Sequence, residues 1–309
     1  MRSVQLRAFH YVALAGGFTR AAEMLHLTQP AISDQVRKLE VEYDMRLFDR
    51  TKKRVSLTRS GEKLYEITRR LFEVEAQALE YLTESRELSS GRLHIIADSP
   101  HHVIDILEPF QHNYPDVYIS IRRGNSQAVI ASLYKYDADI GVLGEIPMGR
   151  DFQIIKLSST PLVAFAAHNS EFAQTSSLSF RELAKLPLVL REPGSRTRAI
   201  IEDYAKLNEI ELQTRIEIEG REAVAEIVAG GNGVGIVSQA ELGNDPRLMK
   251  IIMTDATLTM DETLVCLKER RESLLIRSFM ADARAIVEKR SASACGKKQA
   301  PAAETRACG

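Results

Sequence analysis

The sequence predicts three consecutive architectures: a small helical head closed by a two-stranded β wing, one long helix, and a two-lobed α/β body. Three observations carry that prediction. Apolar residues recur at helical spacing, in short segments broken by glycine and turn residues, through the first sixty positions. A proline-free stretch then holds an apolar heptad for more than two repeats. From residue 91 onward, short apolar runs alternate with amphipathic segments, the texture of a mostly parallel sheet flanked by helices. The expected boundaries are a head over 1–58, a linker helix with hinge over 59–90, a body over 91–290 and a disordered tail over 291–309.

Within the head, Val4, Leu6, Phe9, Val12 and Ala13 mark a first helix, which Gly16-Gly17 stops. A second short helix follows, with Thr19 as its expected cap. Ala21 and Ala22 are the small residues that a close helix crossing requires. Thr28 is placed to cap a third helix, and Pro30 falls in its first turn, where the missing N–H costs little. Ile32, Val36, Leu39 and Tyr43 then share one face. Two short helices joined by a tight turn, the second polar at its start, describe a helix-turn-helix, whose second helix enters the major groove of duplex DNA. Thr28, Gln29, Pro30, Ser33, Gln35, Arg37 and Lys38 are the candidate contacts. Glutamine suits adenine and arginine suits guanine, while serine serves bases or phosphates. A solvated helix face is the competing reading for Gln35, and a pure cap for Thr28.

Leu47-Phe48 leads into a turn bearing Arg50, Lys52, Lys53 and Arg54, and Val55 and Leu57 alternate with polar neighbours beyond it. This pattern predicts a wing whose tip meets phosphate or minor groove. Charge distribution agrees. Residues 1–60 hold eleven Lys/Arg against six Asp/Glu, a charge of +5, whereas the other 249 residues hold thirty against thirty-six, a charge of −6. A basic head on an acidic body fits a polyanion-binding module joined to a domain with another task.

Between Thr58 and Leu88 there is no proline. Leu64, Ile67, Leu71, Val74 and Ala78 step by three and four residues, flanked by Glu, Arg and Lys. A helix of roughly 30 residues spans about 45 Å. Its stripe is expected to pair with a second copy as a homodimer; packing against the chain's own body is the alternative.

The body divides into lobe 1, about 91–161 and 266–290, and lobe 2, about 162–265. Expected strands are Arg92–Ala97, Val117–Arg122, Ala138–Leu143, Leu188–Leu190, Arg215–Ile218 and Val234–Val237. In such sheets ligands lie at the carboxyl ends of strands, where helix N-termini offer N–H groups. Three post-strand segments qualify: Asp98, Ser99 and His101 after the first strand, Ser126 after the second, and Ser195, Thr197 and Arg198 after Leu188–Leu190. The hydroxyls and Arg198 suit an anionic group, and Asp98 an ammonium. Helix capping by Ser99 and Ser126, and a surface position for His101, are the competing readings. The run Gly230-Gly231-Asn232-Gly233-Val234-Gly235 precedes a strand, the wrong order for a dinucleotide fingerprint.

The head resembles the LysR-type transcriptional regulators. The matching residues are Leu6-x-x-Phe9, Gly17-Phe18-Thr19-x-Ala21-Ala22-x-x-Leu25, Thr28-Gln29-Pro30-Ala31-Ile32-Ser33, Gln35-Val36-x-x-Leu39-Glu40, Leu47-Phe48-x-Arg50 and Leu57-Thr58-x-x-Gly61. The resemblance implies a winged helix-turn-helix and a periplasmic-binding-protein-like effector domain. It further implies linker helices paired antiparallel, a homodimer assembling to a homotetramer, a pseudo-palindromic double-stranded DNA site and RNA polymerase as partner. Three segments, Ala97-Asp98-Ser99-Pro100-His101-His102-Val103, Gly124-Asn125-Ser126 and Tyr136–Leu143, resemble the subgroup associated with 2-aminoethylphosphonate catabolism. That likeness implies a phosphonate effector. A small carboxylate or amino acid using the same hydroxyls is the alternative.

Other classes fit less well. Neither Gly-x-Ser-x-Gly, His-Glu-x-x-His nor a P-loop occurs, so no enzyme is expected, and no cofactor. A solute-binding protein would leave residues 1–88 unexplained. No apolar run approaches ~18 residues and no secretory signal opens the chain, so a cytoplasmic protein without membrane contact is expected. Cys266, Cys295 and Cys308 lack Cys-x-x-Cys spacing, which points away from a disulfide framework and a metal site.

Overall fold

The computed structural model describes residues 2–49, 55–82, 91–149 and 151–297. The chain divides into two compact units, Met1–Glu87 and Leu88–Gly309.

The first unit contains α1 (Arg2–Ala15), α2 (Phe18–Met24), α3 (Gln29–Glu42), β1 (Phe48–Asp49), β2 (Ser56–Leu57) and α4 (Arg59–Leu82). Gly17 rather than Thr19 precedes α2, because the helix already starts at Phe18. Thr28 caps α3 as expected, its Oγ1 accepting from the Ala31 N–H at 3.4 Å. Phe9, Val12, Ala21, Ile32, Val36 and Phe48 form the buried core. The wing strands pair antiparallel, Phe48 opposite Leu57. Glu40 Oε1 accepts from the Leu47 and Phe48 N–H groups and so ties the wing to α3. Gly61 is required where α4 passes the wing, since a Cβ there would lie 2.1 Å from the Leu47 carbonyl oxygen.

The second unit runs β3 (Gly91–Ala97), α5 (Ile104–Asn113), β4 (Val117–Arg123), α6 (Ser126–Tyr134), β5 (Ile140–Leu143), β6 (Phe152–Ala167) and β7 (Ser177–Leu178). It continues through α7 (Phe180–Leu183), β8 (Leu188–Arg191), α8 (Arg196–Leu207), β9 (Thr214–Ile218), α9 (Arg221–Ala229), β10 (Val234–Ser238) and α10 (Gln239–Leu242). β11 (Leu248–Met253), β12 (Thr259–Leu267) and α11 (Leu274–Lys297) complete it. Strand order is β4-β3-β5-β12-β6-β10-β8-β9, with β11 on β6 and β7 on β11. Each lobe contains one parallel three-stranded unit with its first strand in the middle, β4-β3-β5 and β9-β8-β10. The winding reverses beside β3 and beside β8, and loops after such strands open into a crevice. One apolar core, with Ile95, Phe110, Ile140 and Phe279, fills the first lobe. Another, with Leu162, Phe180, Leu188 and Ile236, fills the second.

Two expectations need correction. The return to the first lobe does not begin at 266. It occurs inside β12, which pairs with β6 along both lobes, shifts register between Glu262 and Thr263, and from Thr263 pairs with β5. A continuous strand is the cheaper crossover, because its backbone groups stay hydrogen-bonded while it changes lobes. The tail expected to be disordered from residue 291 is helical as far as Lys297. Ser291–Ala294 contains no breaker, and a helix already nucleated extends at little cost until Gly296, next to its last described residue. Residues 298–309, residues 83–90 (the end of the expected linker helix and most of its hinge) and the wing tip with Arg50, Lys52, Lys53 and Arg54 lie outside the described residues.

Candidate functional sites: a DNA-reading helix and an interlobe cleft

In the head, α3 buries Ile32, Val36 and Leu39, and that choice of face decides what the rest of the helix offers. Thr28, Gln29, Pro30, Arg37 and Lys38 are exposed, and Ser33 and Gln35 are half-buried. Arg37 and Lys38 both pair with Asp34, at 3.5 and 2.7 Å, which holds their charges along the helix. Asp34 is in turn held below the usual carboxylate range, chiefly by the hydrogen bond from Lys38. On α4, Ile67, Leu71, Val74 and Ala78 are exposed, as an unpaired apolar stripe would be. Leu64 differs: it packs partly against the head's own core.

In the body, the three expected segments meet across the cleft. Arg191, at the carboxyl end of β8, donates from Nη1 to Asp98 Oδ1 at 2.9 Å, and both side chains are 5% exposed. Its Nη2 reaches Glu192 Oε1 at 2.9 Å. The Asn125 amide, which also caps α6, lies 3.4 Å from Glu192 Oε1. Arg123 pairs with Glu222, and Arg196 with Glu145 at 3.6 Å. Gly194, at φ +89°, comes so close to Gln127 of the other lobe that a Cβ would sit 2.7 Å from its Oε1. A pocket of about 290 Å³ lies here, lined by Asp98, Arg123, Asn125, Arg191, Glu192 and Gly220 among others.

Ser99, Ser126 and Ser195 are buried beside this junction, and none of their Oγ atoms has a hydrogen-bond partner. The capping alternative therefore does not hold: Ser99 and Ser195 make no side-chain cap bond, and α6 is capped by Asn125. Three buried hydroxyls without a protein partner are costly unless water or a ligand uses them. Thr197 is buried with its Oγ1 3.5 Å from Met260 Sδ. His101 is exposed overall, yet partial desolvation of its imidazole pushes the pKa below the usual value.

Two expected roles change. Arg198 is already engaged, paired with Glu217, with Glu202 at 2.7 Å and with the Arg191 carbonyl oxygen at 2.9 Å. Asp98 faces Arg191 rather than an open space for an ammonium. Burial raises its pKa, with Arg191 opposing. Glu192 is held low despite its own burial, through Arg191 and the Gly220 N–H. Sequence reasoning passed over some buried charged residues, one of which, Arg191, joins the two sides of the cleft. Arg191 ends an otherwise apolar, fully buried strand, a legible signal of a charge with a purpose. His102, Arg221, Glu241 and Glu262 carried no such signal, being scattered along the chain.

With that geometry established, comparison with known proteins is decisive. Residues 4–62 match the family described as bacterial regulatory helix-turn-helix protein, lysR family, and residues 86–286 match the LysR substrate binding domain. The chain belongs to the LysR family of transcriptional regulators. It is 30% identical over 281 residues to the HTH-type transcriptional activator CmpR of Synechocystis, covering 89% of this chain and 92% of that protein. It is 31% identical to the RuBisCO operon transcriptional regulator of Acidithiobacillus ferrooxidans, over 81% of this chain and 82% of that one. Among solved structures, a cysteine-to-aspartate variant of full-length OxyR from Pseudomonas aeruginosa superimposes with a TM-score of 0.74 at 20% identity, over 92% and 95% of the two chains. CbnR bound to its target DNA gives 0.61 at 19%, over 92% and 99%. This LysR-type chain is thus a DNA-binding regulator with a small-molecule effector domain, and not an enzyme. The two-lobed α/β body has the architecture of those full-length regulators. Among the described residues, no helix is long and apolar enough to cross a membrane.

Proposed function

We propose that this regulator is cytoplasmic and is controlled by a small anionic or zwitterionic organic acid bound between the lobes, with 2-aminoethylphosphonate or a related phosphonate as the first candidate. The observation that carries the reading is the set of orphaned Ser99, Ser126 and Ser195 hydroxyls at the carboxyl ends of β3, β4 and β8. Hydroxyls of that kind, beside the N-termini of α6 and α8, suit an acidic group. The relatives favour a second probe. One is named for the RuBisCO operon, and the regulatory domain of Synechocystis CcmR, of like fold (TM-score 0.58, 21% identical, over 64% of this chain and 97% of that one), is in complex with 2-PG.

Binding that prefers one lobe arrangement shifts the population toward it. In a homodimer joined through α4, or a tetramer of such dimers, that shift changes how paired heads meet a pseudo-palindromic site and RNA polymerase. Head residues Gln29, Ser33, Gln35 and Arg37 read the bases, with Thr28, Lys38 and the wing on phosphate. The test is a thermal-shift screen of 2-aminoethylphosphonate, 2-PG, carboxylates, amino acids and sugars. A dose-dependent rise with an acid, lost in Ser126→Ala and Ser195→Ala, is expected. If no acid raises the melting temperature, the reading fails. Identical DNA footprints with and without the active acid would sink the mechanism.

A further inference from the structure

A second cluster in the body holds two buried carboxylates against one arginine and one histidine, so its charges balance only when the histidine is protonated. His102 lies in the short turn Pro100–Val103, Glu241 lies in α10, and Glu262 sits at the register shift of β12. Their donor atoms all lie within 4.8 Å of one another. The side chains are 9%, 2% and 1% exposed. Arg221, at the start of α9, donates to Glu241 Oε1. Among the described residues no lysine or arginine pairs with Glu262, and its Oε2 has no hydrogen-bond partner; nor has His102 Nε2. The cationic partner of Glu262 is His102, and only while that imidazole is protonated; a buried carboxylate facing a neutral imidazole is expensive.

The spacing points to what would relieve it. His102 Nε2 and Glu262 Oε1 are 3.5 Å apart, too long for a good hydrogen bond. Two donors each ~2.1 Å from a tetrahedral zinc ion stand about 3.4 Å apart. One imidazole with two carboxylates is a donor set for a first-row dication. Calcium and magnesium prefer oxygen alone. We propose that His102, Glu241 and Glu262 form a binding site for a divalent cation of the zinc class. Arg221 then orients Glu241 from the outer side, as hydrogen-bonded partners of metal-ligating carboxylates do. Three protein donors leave a coordination position for water or for an acidic oxygen of a ligand.

The test uses full-length, chelator-treated protein carrying Cys295→Ser and Cys308→Ser, so that tail thiols do not bind metal. Zn²⁺ uptake is measured by equilibrium dialysis, and Co²⁺ is added as a spectroscopic probe. One equivalent per chain is expected, with the strong visible absorption of low-coordinate Co²⁺ and no thiolate charge-transfer band. Losing an outer partner costs roughly 10–100-fold in affinity. Glu262→Gln and His102→Ala should therefore weaken binding at least that much. Glu262→Gln keeps the side-chain shape, and the wild-type Co²⁺ spectrum needs no variant at all. Absent stoichiometric uptake, a six-coordinate aqua-like spectrum, or unchanged binding in both variants would overturn the site. The outcome is independent of the effector screen: acids can stabilise a protein that takes no metal, and metal can bind a protein that ignores every acid.

Discussion

Arg191 holds two carboxylates at once, Asp98 and Glu192, in a place almost closed to water. Removing it leaves Asp98 buried and unpaired, which typically costs about 3–5 kcal/mol. Arg191→Ala should therefore lower the urea-unfolding free energy of the body by about that much, whereas Arg198→Ala loses partly exposed pairs and should cost under about 1 kcal/mol. Equal losses in the two variants would show that Arg191 is not the keystone. His10 gives a pH-dependent counterpart in the head. Its ring packs against Tyr65 and Phe72 and lies 3.2 Å from Thr68 Oγ1. Burial first, then Arg69, lowers its pKa from 6.5 to about 4. Between those values the unfolded chain takes up a proton that the fold resists, so stability is full above pH 6.5 and falls as pH drops toward 4. Thermal melts of the head's transition across that window should slope downward in wild type and flatten in His10→Gln. At this scale the sequence showed hydroxyls and charges in post-strand loops that the fold brings near one another. It could not show that Arg198 is spent on Glu217 and Glu202, because those partners come from later in the same helix and from β9.

The elements were more legible than their side chains' partners. Periodicity located α3, its Thr28 cap and the strands β3, β4, β8 and β10, because each is dictated by local spacing and turn chemistry. The long helix is the element with the clearest unpaired surface. Ile67, Leu71 and Val74 are 63%, 48% and 59% exposed, and none of them belongs to the head's buried core. If they meet a second copy, each buried side chain contributes about 1.5–3 kcal/mol, and symmetry counts each twice. The double variant Leu71→Glu, Val74→Glu should thus weaken self-association at least ~100-fold in sedimentation equilibrium. An unchanged oligomer would place the dimer contact elsewhere. Leu64, counted in the same stripe by spacing, turned inward because α4 begins against the wing, where Gly61 admits close approach.

For the whole molecule, two compact units with separate cores predict two unfolding transitions. An effector at 100 times its Kd adds about 2.7 kcal/mol to the unit that binds it. Scanning calorimetry should then move the body's transition upward and leave the head's in place. A shift of both together would mean that ligand binding in the cleft is felt in the head's stability.

Much local order came from the sequence alone: the head's helices, six of the body's strands and the family the head resembles, though not β6, β7, β11 or β12. Those follow from spacing, capping and charge along the chain, each set within a few residues. Tertiary structure decided what long-range pairing decides. It placed the lobe crossover inside β12, gave Asp98 to Arg191, and left Ser99, Ser126 and Ser195 without partners. It also gathered His102, Glu241 and Glu262 from distant positions into one buried cluster. Such meetings depend on strand order and lobe packing, and no local spacing in the chain encodes them.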